Sequence, residues 1–501
     1  MIRNIDREKM TADKNRNELL QSVLPRYETL LSPKDYAKLV AAIDKPLYPA
    51  IRLNPLKTDP QKAIKQLAQK YQWTVEPIPF CSDGWWVKDS QTEPGKTIEH
   101  RLGHYYIQDA ASMLPVALFD FKHNDSPLIL DMAASPGGKT THLISRTMDQ
   151  GLVIANDSSR SRLTALRLVL QNWSAINKAV TNLPGERFGH LYPQTFDYVL
   201  LDAPCSMESL RSLESHPMRP ISEKERQNLA TRQKRLLESA IRTVRVGGQV
   251  VYATCTLAPE EDEAVLNDLL TQYAHQVNIE SVHDRLGFKA PALIRDGSIQ
   301  FDPDVSNAVR LWPHISDTSG FFAALITKSE EIEIEGIDAL NKDQNRNRAL
   351  QKLSKKSVSL LSDELQEDYG FKIEKILSDH DCLLMSGAKE VVLIPARLLK
   401  CFGSLSFTAA GIKLGEYHPR GFLLSHEFAS RFYSTFTKGV YILPQEYHPA
   451  WLRGEDLRNK PIFDVEKGEV VVLTDNQQLY LGLGRILADR TKNLLPKRIV
   501  L

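Results

Sequence analysis

The chain has 501 residues, 42% hydrophobic and 25% charged, an ordinary balance for a folded protein that excludes disordered and fibrous classes. At roughly 100–200 residues per domain this length predicts about three domains, and no apolar run approaches the ~20 residues a membrane span needs. Lys+Arg 63 against Asp+Glu 62 leaves a net charge of +1, so a nucleic-acid partner must be argued from local patches.

Met1–Asn17 alternates charge with amides and lacks the apolar core of a signal peptide. Helical periodicity then runs through Leu19–Leu31, Pro33–Ile43 and Gln61–Tyr71, with extended stretches at Trp73–Val75 and Gly84–Val87. Residues 1–100 read as a small α+β domain.

From Ser126 short apolar runs alternate with amphipathic helices. Strands are expected at Leu128–Met132, Leu152–Asn156, Lys178–Thr181, Tyr198–Leu201 and, after a Gly247–Gly248 turn, Gln249–Ala253. Helices are expected at Gly138–Thr147, Ser161–Trp173 and Ser222–Val244. Such alternation predicts an α/β, Rossmann-like domain over 101–328, its parallel sheet covered on both faces. Ala308–Trp312 and Phe321–Ile326 read as a hairpin on the sheet edge. A charged, amide-rich linker follows at 329–350, then a second globular region whose first part, 351–430, is α+β.

The stretch LILDMAASPGGKTT ends a buried strand on an acid and turns through Pro136-Gly137-Gly138 into a helix N-terminus, whose free N–H groups suit an anionic or carboxylate-bearing ligand. Gly138-Lys139-Thr140 supplies the second half of a phosphate loop, but the first glycine of that motif falls on Ala133. The other reading is a pocket for S-adenosyl-methionine, with Asp157, about 20 residues on, at the place where a carboxylate holds ribose hydroxyls. Asp157 also suits a helix N-cap.

Five cysteines (Cys81, Cys205, Cys255, Cys382, Cys401) form neither a CxxC spacing nor a disulfide framework, as expected in a reducing cytoplasm. Two of them follow neighbouring strands: Asp202-Ala203-Pro204-Cys205 and Thr254-Cys255-Thr256. A lone cysteine at a strand end is usually a small core residue. Two converging on one cleft, with an acid three residues before the first, suit methylation at C5 of a pyrimidine, where a thiolate must first add to C6. A carboxyl group must then meet the density that reaches N3. The other three cysteines read as structural.

These motifs resemble the Sun-type RNA cytosine-C5 methyltransferases and, within them, the bacterial RsmF branch acting on small-subunit ribosomal RNA. The resemblance runs from IRLNPLK through YIQDA, DMAASPGGKT, DAPCS and ATCTLAPEEDE to RLWPHISDTSGFF, and reaches WLRGEDL and LGLGRILADRTKNLLPKR near the C-terminus. It implies Cys255 as the nucleophile, Cys205 as the group assisting release, and Asp202 facing both the cytosine N3 edge and the cofactor. It also implies S-adenosyl-methionine held by Ala133, Ala134, Ser135, Pro136, Gly137, Gly138, Lys139 and Asp157. An N-terminal domain of RNA-binding type and a PUA-like module over 431–501 are expected as well. Glu260 and Glu261 are expected to cap the following helix.

The sequence departs from the family at Met207, where glycine is usual, and at Pro184, where an acid usually touches the adenine side, a contact Asn182 can supply. The tract Ser209–Pro220 is also unlike the common pattern. Candidate RNA contacts are Arg52, the helical Arg232, Arg235 and Arg242, and the last 17 residues, with five basic side chains against Asp489 alone. The expected protein is a cytoplasmic monomer acting on 16S rRNA, with tRNA the alternative within the same chemistry. A P-loop-like NTPase and a non-catalytic RNA-binding or ribosome-assembly factor are the alternatives from other classes.

Overall fold

The computed structural model describes residues 20–501 apart from 22, 122–125, 212–218, 274, 334–349, 404, 420, 459–462 and 464. Most of the 329–350 linker, much of Ser209–Pro220 and Met1–Asn17 therefore lie outside the described residues.

Four strands, β1 (Ala50–Leu53), β2 (Thr74–Pro77), β3 (Gly84–Asp89) and β4 (Tyr105–Ile107), form an antiparallel sheet in the order β2-β3-β1-β4. Ile51 and Leu53 pack on one face against Ala63, Ile64 and Leu67 of the Pro60–Tyr71 helix. Arg52, between them in a strand of period two, points the other way, toward the central domain.

The central sheet begins with β5 (Leu128–Asp131), β6 (Leu152–Asn156), β7 (Lys178–Thr181), β8 (Phe196–Asp202) and β9 (Val244–Thr254); the first four are buried along their middles, and β9 is buried from Val250 to Thr254. Neighbouring pairs among these five are parallel. Then come β10 (Val277–Glu280), a small hairpin of β11 (Arg295–Asp296) and β12 (Ile299–Gln300), β13 (Val309–Leu311) and β14 (Phe321–Lys328). β14 lies antiparallel to β9 and carries both β13 and β10 along its outer side, so the 308–326 hairpin is not the outermost element. β9 also starts earlier than expected, at Val244. Gly247 takes φ +74 within the strand, and the register against β8 shifts there instead of the chain turning.

The second half of the chain supplies β15 (Gln351–Lys352), β16 (Cys382–Ser386), β17 (Glu390–Pro395), β18 (Phe407–Ala410), β19 (Ile412–His418) and β20 (Gly421–Leu424). β15, β16, β17, β19 and β20 make a separate sheet, while β18 crosses over and pairs antiparallel with β7, closing the central sheet as β10-β14-β9-β8-β5-β6-β7-β18. A last sheet contains β21 (Val440–Ile442), β22 (Val470–Thr474), β23 (Tyr480–Ile486) and β24 (Thr491–Asn493). Trp451, fully buried, donates its indole N–H to the Leu481 carbonyl and covers Gly482 and Gly484 of β23; a side chain at Gly482 would collide with Leu495, and one at Gly484 would press on Thr491, Leu473 and the Trp451 ring.

Candidate active site

The site forms at the carboxyl ends of β5, β6, β8 and β9, where ligands sit in open parallel sheets. After β5 the chain turns through Ala133–Gly137 into the Gly138–Arg146 helix. Gly137 holds φ +117, and any side chain there would strike Leu166 and Val169; one at Gly138 would strike Tyr106. Both glycines are thus required by geometry.

The loop is tied down on each side. Ala134 N–H donates to the Asn156 carbonyl at 2.7 Å, and Ser135 N–H to the Asp157 carboxylate at 3.2 Å. The other Asp157 oxygen accepts from Ser159 N–H at 2.8 Å. Asp157 does not cap the next helix, which starts at Leu163. Asn182 donates its amide to the Asp157 carbonyl at 2.7 Å, while Pro184 is exposed.

Arg52 is fully buried and therefore no RNA contact. Its guanidinium donates to the Gly138 carbonyl at 2.9 Å and to Thr141 Oγ1 at 2.6 Å, and lies over the Trp173 ring. Burial lowers its pKa to about 10. The N-terminal domain uses this side chain to brace the first turn of the loop helix.

Asp131 closes β5 beneath the loop. One oxygen accepts from Thr140 Oγ1 at 2.6 Å, and the other is buried without a partner. Burial, aided by the charges of Asp202 and Asp157 and opposed by Thr140 and Lys139, pushes its carboxyl up to about 7 from 3.8. Folding therefore takes up a proton. This contribution is complete below about pH 4 and is lost as pH rises through about 7. Asp131→Asn is expected to flatten the fall in Tm between pH 4 and pH 8; a variant with the wild-type slope contradicts this origin.

Lys139, in the first turn of the same helix, reaches across to Asp202 at the end of β8, Nζ to Oδ2 2.8 Å. Burial opposes the ammonium charge, but Asp202 and the nearby Cys255 outweigh it and raise the Lys139 pKa. β8 and β9 are in register with Asp202 opposite Ala253, so Cys205 and Cys255 leave adjacent strands at the same level. Their sulfurs are 3.3 Å apart, and both are free, half-buried thiols. The hydrogen bond with Cys255, then burial and the Glu261 charge, hold the Cys205 pKa well above its ordinary value. Cys205 therefore keeps its proton.

Behind the thiols the acids of PEEDE do not cap the following helix. Glu260 pairs with Arg26 at 2.7 Å; Glu261, fully buried, accepts from Ser206 N–H and from Gln233, both at 2.9 Å. Asp262 accepts from Thr254 Oγ1 at 2.6 Å, and Glu263 from Arg310 at 2.5 Å. Each has a specific partner that outcompetes the helix terminus. Glu208 accepts from Tyr27 at 2.6 Å, Arg226 at 2.9 Å and Arg26 at 3.1 Å, tying the Cys205 loop to the N-terminal helices. Met207 is left-handed at φ +62, the conformation glycine favours. None of these pairings has a local sequence signal beyond the density of charged residues.

Arg232 is exposed and paired with Glu186, and Arg242 pairs with Glu238. At the C-terminus Arg490 pairs with Asp456, and Arg498 with Glu427. Cys81 and Cys382 are buried and Cys401 is exposed. Among the described residues no group of side chains could hold a metal ion, and no helix is long and apolar enough to cross a membrane.

The residues fit a cofactor carrying an amino acid and a sugar. First-turn N–H groups can receive its carboxylate, Asp131 offers an unused buried oxygen, and Asp157 stands at the end of β6. Sheet order, glycine turn and acids together define a class I, S-adenosyl-methionine-dependent methyltransferase. A crystal structure of a methyltransferase homologue from Pyrococcus horikoshii matches with a TM-score of 0.51 at 30% identity, over 61% of this chain and 99% of that one.

Residues 116–327 match the family described as 16S rRNA methyltransferase RsmB/F, and 19–110 the N-terminal domain of 16S rRNA methyltransferase RsmF. Ribosomal RNA small subunit methyltransferase F of Vibrio vulnificus strain YJ016 is 31% identical over 485 residues, 96% of this chain and 98% of that protein. The protein of the same name from Pectobacterium atrosepticum is 32% identical over 488 residues, 96% and 95% of the two chains. The chain belongs to the RsmF family of 16S rRNA methyltransferases.

Proposed function

We propose that the protein transfers a methyl group from S-adenosyl-methionine to C5 of a cytosine in 16S rRNA, through a transient bond between Cys255 Sγ and C6. The observation that carries this reading is the 3.3 Å approach of two free thiols beside the Lys139–Asp202 pair. An aromatic C5 carbon is a poor nucleophile. Addition of the Cys255 thiolate to C6 moves electron density onto N3 and C5, and Asp202 meets N3 with a proton between them. S-adenosyl-methionine supplies an electrophilic methyl, held against the Ala133–Lys139 loop with its ribose on Asp157. C5 then loses its proton to water, N3 returns its proton to Asp202, the C5–C6 double bond reforms and the Cys255 sulfur leaves. Cys205, which keeps its proton, donates a hydrogen bond to that departing sulfur.

The target base must leave its stack to reach the thiols. A single-stranded or locally opened segment of rRNA in a reducing cytoplasm suits these requirements, and a monomer suffices because one chain supplies every group named. Incubating the purified protein with unmodified 16S rRNA and S-adenosyl-methionine is expected to yield cytosines resistant to bisulfite conversion. Methyl groups found only on ribose 2′-oxygens or exocyclic amines would overturn the reading.

A further inference from the structure

A cleft of about 520 Å³ separates the Pro60–Tyr71 helix from the C-terminal sheet, and none of the cysteines lines it. One wall carries Lys62, Gln66 and Lys70; the other carries Tyr433, Thr474 and Gln477. Half-buried Val440 and exposed Ile442 contribute apolar surface. This volume is in the range of ligand sites, roughly 300–1,000 Å³.

Two features set the cleft apart from a mere crevice between domains. His104 lines it at 8% exposure, and its Nε2 has no hydrogen-bond partner. Burial, with the fields of Lys57 and Lys70, lowers the His104 pKa to about 3, so the imidazole is neutral and its buried Nε2 is left without a partner. The second feature is charge. The helix sequence PQKAIKQLAQKY holds three lysines and no acid. Both carboxylates at the cleft are engaged: Asp59 accepts from Gln61 and Lys62 backbone N–H groups, and Glu99 from Lys70 and Tyr71. Lys57 is spent on two carbonyls and Ser430. Lys62 has no ion pair among the described residues and faces solvent.

Apolar and aromatic surface suits the face of a base, amides and an unused imidazole nitrogen suit its edge, and an uncompensated lysine suits a phosphodiester. We propose that this cleft seats an unpaired nucleotide of the RNA substrate, as an anchor separate from the methylated base. The proposal rests on RNA being the substrate, but not on which atom is methylated.

The test uses the full chain, S-adenosyl-methionine and 16S rRNA, with the exposed-site variants Lys62→Glu and Gln66→Ala, alone and together. The double variant is expected to raise KM for rRNA about tenfold and lower the slope of log affinity against log salt by about one, for the lost phosphate contact. Turnover at saturating RNA, cofactor affinity and Tm should stay at wild-type values. An unchanged KM and salt slope would overturn the anchor, as would a fall in turnover alone. Tight binding of free uridine or adenosine monophosphate, insensitive to added rRNA, would also overturn it and mark a small-molecule site. A wild-type protein that neither binds nor methylates rRNA would instead sink the RNA reading itself.

Discussion

Cys205→Ala is expected to leave a protein–RNA adduct that survives denaturing electrophoresis, whereas Cys255→Ser abolishes both adduct and product. The two sulfurs are only 3.3 Å apart, yet their surroundings separate their roles. Cys205 is held protonated by its bond to Cys255, by burial and by Glu261, which suits a donor to a leaving thiolate and not an attacking group. After Asp202, Cys255 is the next charge that the Lys139 ammonium feels, so a cation faces the attacking sulfur. Removing Cys205 leaves addition and methyl transfer possible but takes away the hydrogen bond that eases departure of Cys255 from C6, so the covalent species accumulates. Serine at 255 replaces an ionisable thiol by a hydroxyl that stays neutral, and turnover should fall by roughly 10⁴-fold or more. Cofactor affinity should survive in both variants, because the Ala133–Lys139 loop is anchored by Asn156, Asp157 and Arg52 rather than by either thiol. Equal loss of activity with no adduct in the Cys205 variant would contradict these roles.

The parts of the fold that sequence reveals are those with a local signature. β5, β6 and β8 hold continuous apolar runs and β7 a shorter one, and the expected and observed limits agree within two residues. The glycine turn and the two cysteine motifs could be placed because each follows directly on such a strand. β10 was not legible: VNIE is half polar and only four residues long. β18 was still less so, since FTAA owes its strand state to the open edge of β7, more than two hundred residues earlier. Arg52 shows the same limit from the side of function. An arginine in a short strand reads as a surface cation, and only the tertiary fold reveals that its face turns inward onto Gly138. Charge-rich PEEDE likewise looks like a helix start, whereas its four acids each answer a base, amide or hydroxyl supplied from elsewhere.

That network makes Arg310 the single residue whose loss should cost most stability. Its guanidinium is fully buried, donates to both Glu263 oxygens at 2.7 and 2.5 Å, reaches Asp262 at 3.4 Å and bonds the Leu257 carbonyl at 3.0 Å. Asp262 and Glu263 are themselves fully buried. Arg310→Met keeps the volume and removes the charge, leaving two carboxylates and a carbonyl in the interior without their common partner. Breaking a buried pair from one side typically costs about 3–5 kcal/mol, and a loss of that size is expected in the denaturant transition of the central domain. The damage should reach the chemistry as well, because Asp262 holds Thr254 and Arg310 holds Leu257, the residues on either side of Cys255–Thr256. Turnover should therefore fall even where the variant is folded, with cofactor affinity unchanged. Adding Glu263→Gln removes one stranded charge and should recover part of the stability. A double variant as unstable as the sum of its singles would show that packing, and not the unpaired carboxylate, is what Arg310 supplies.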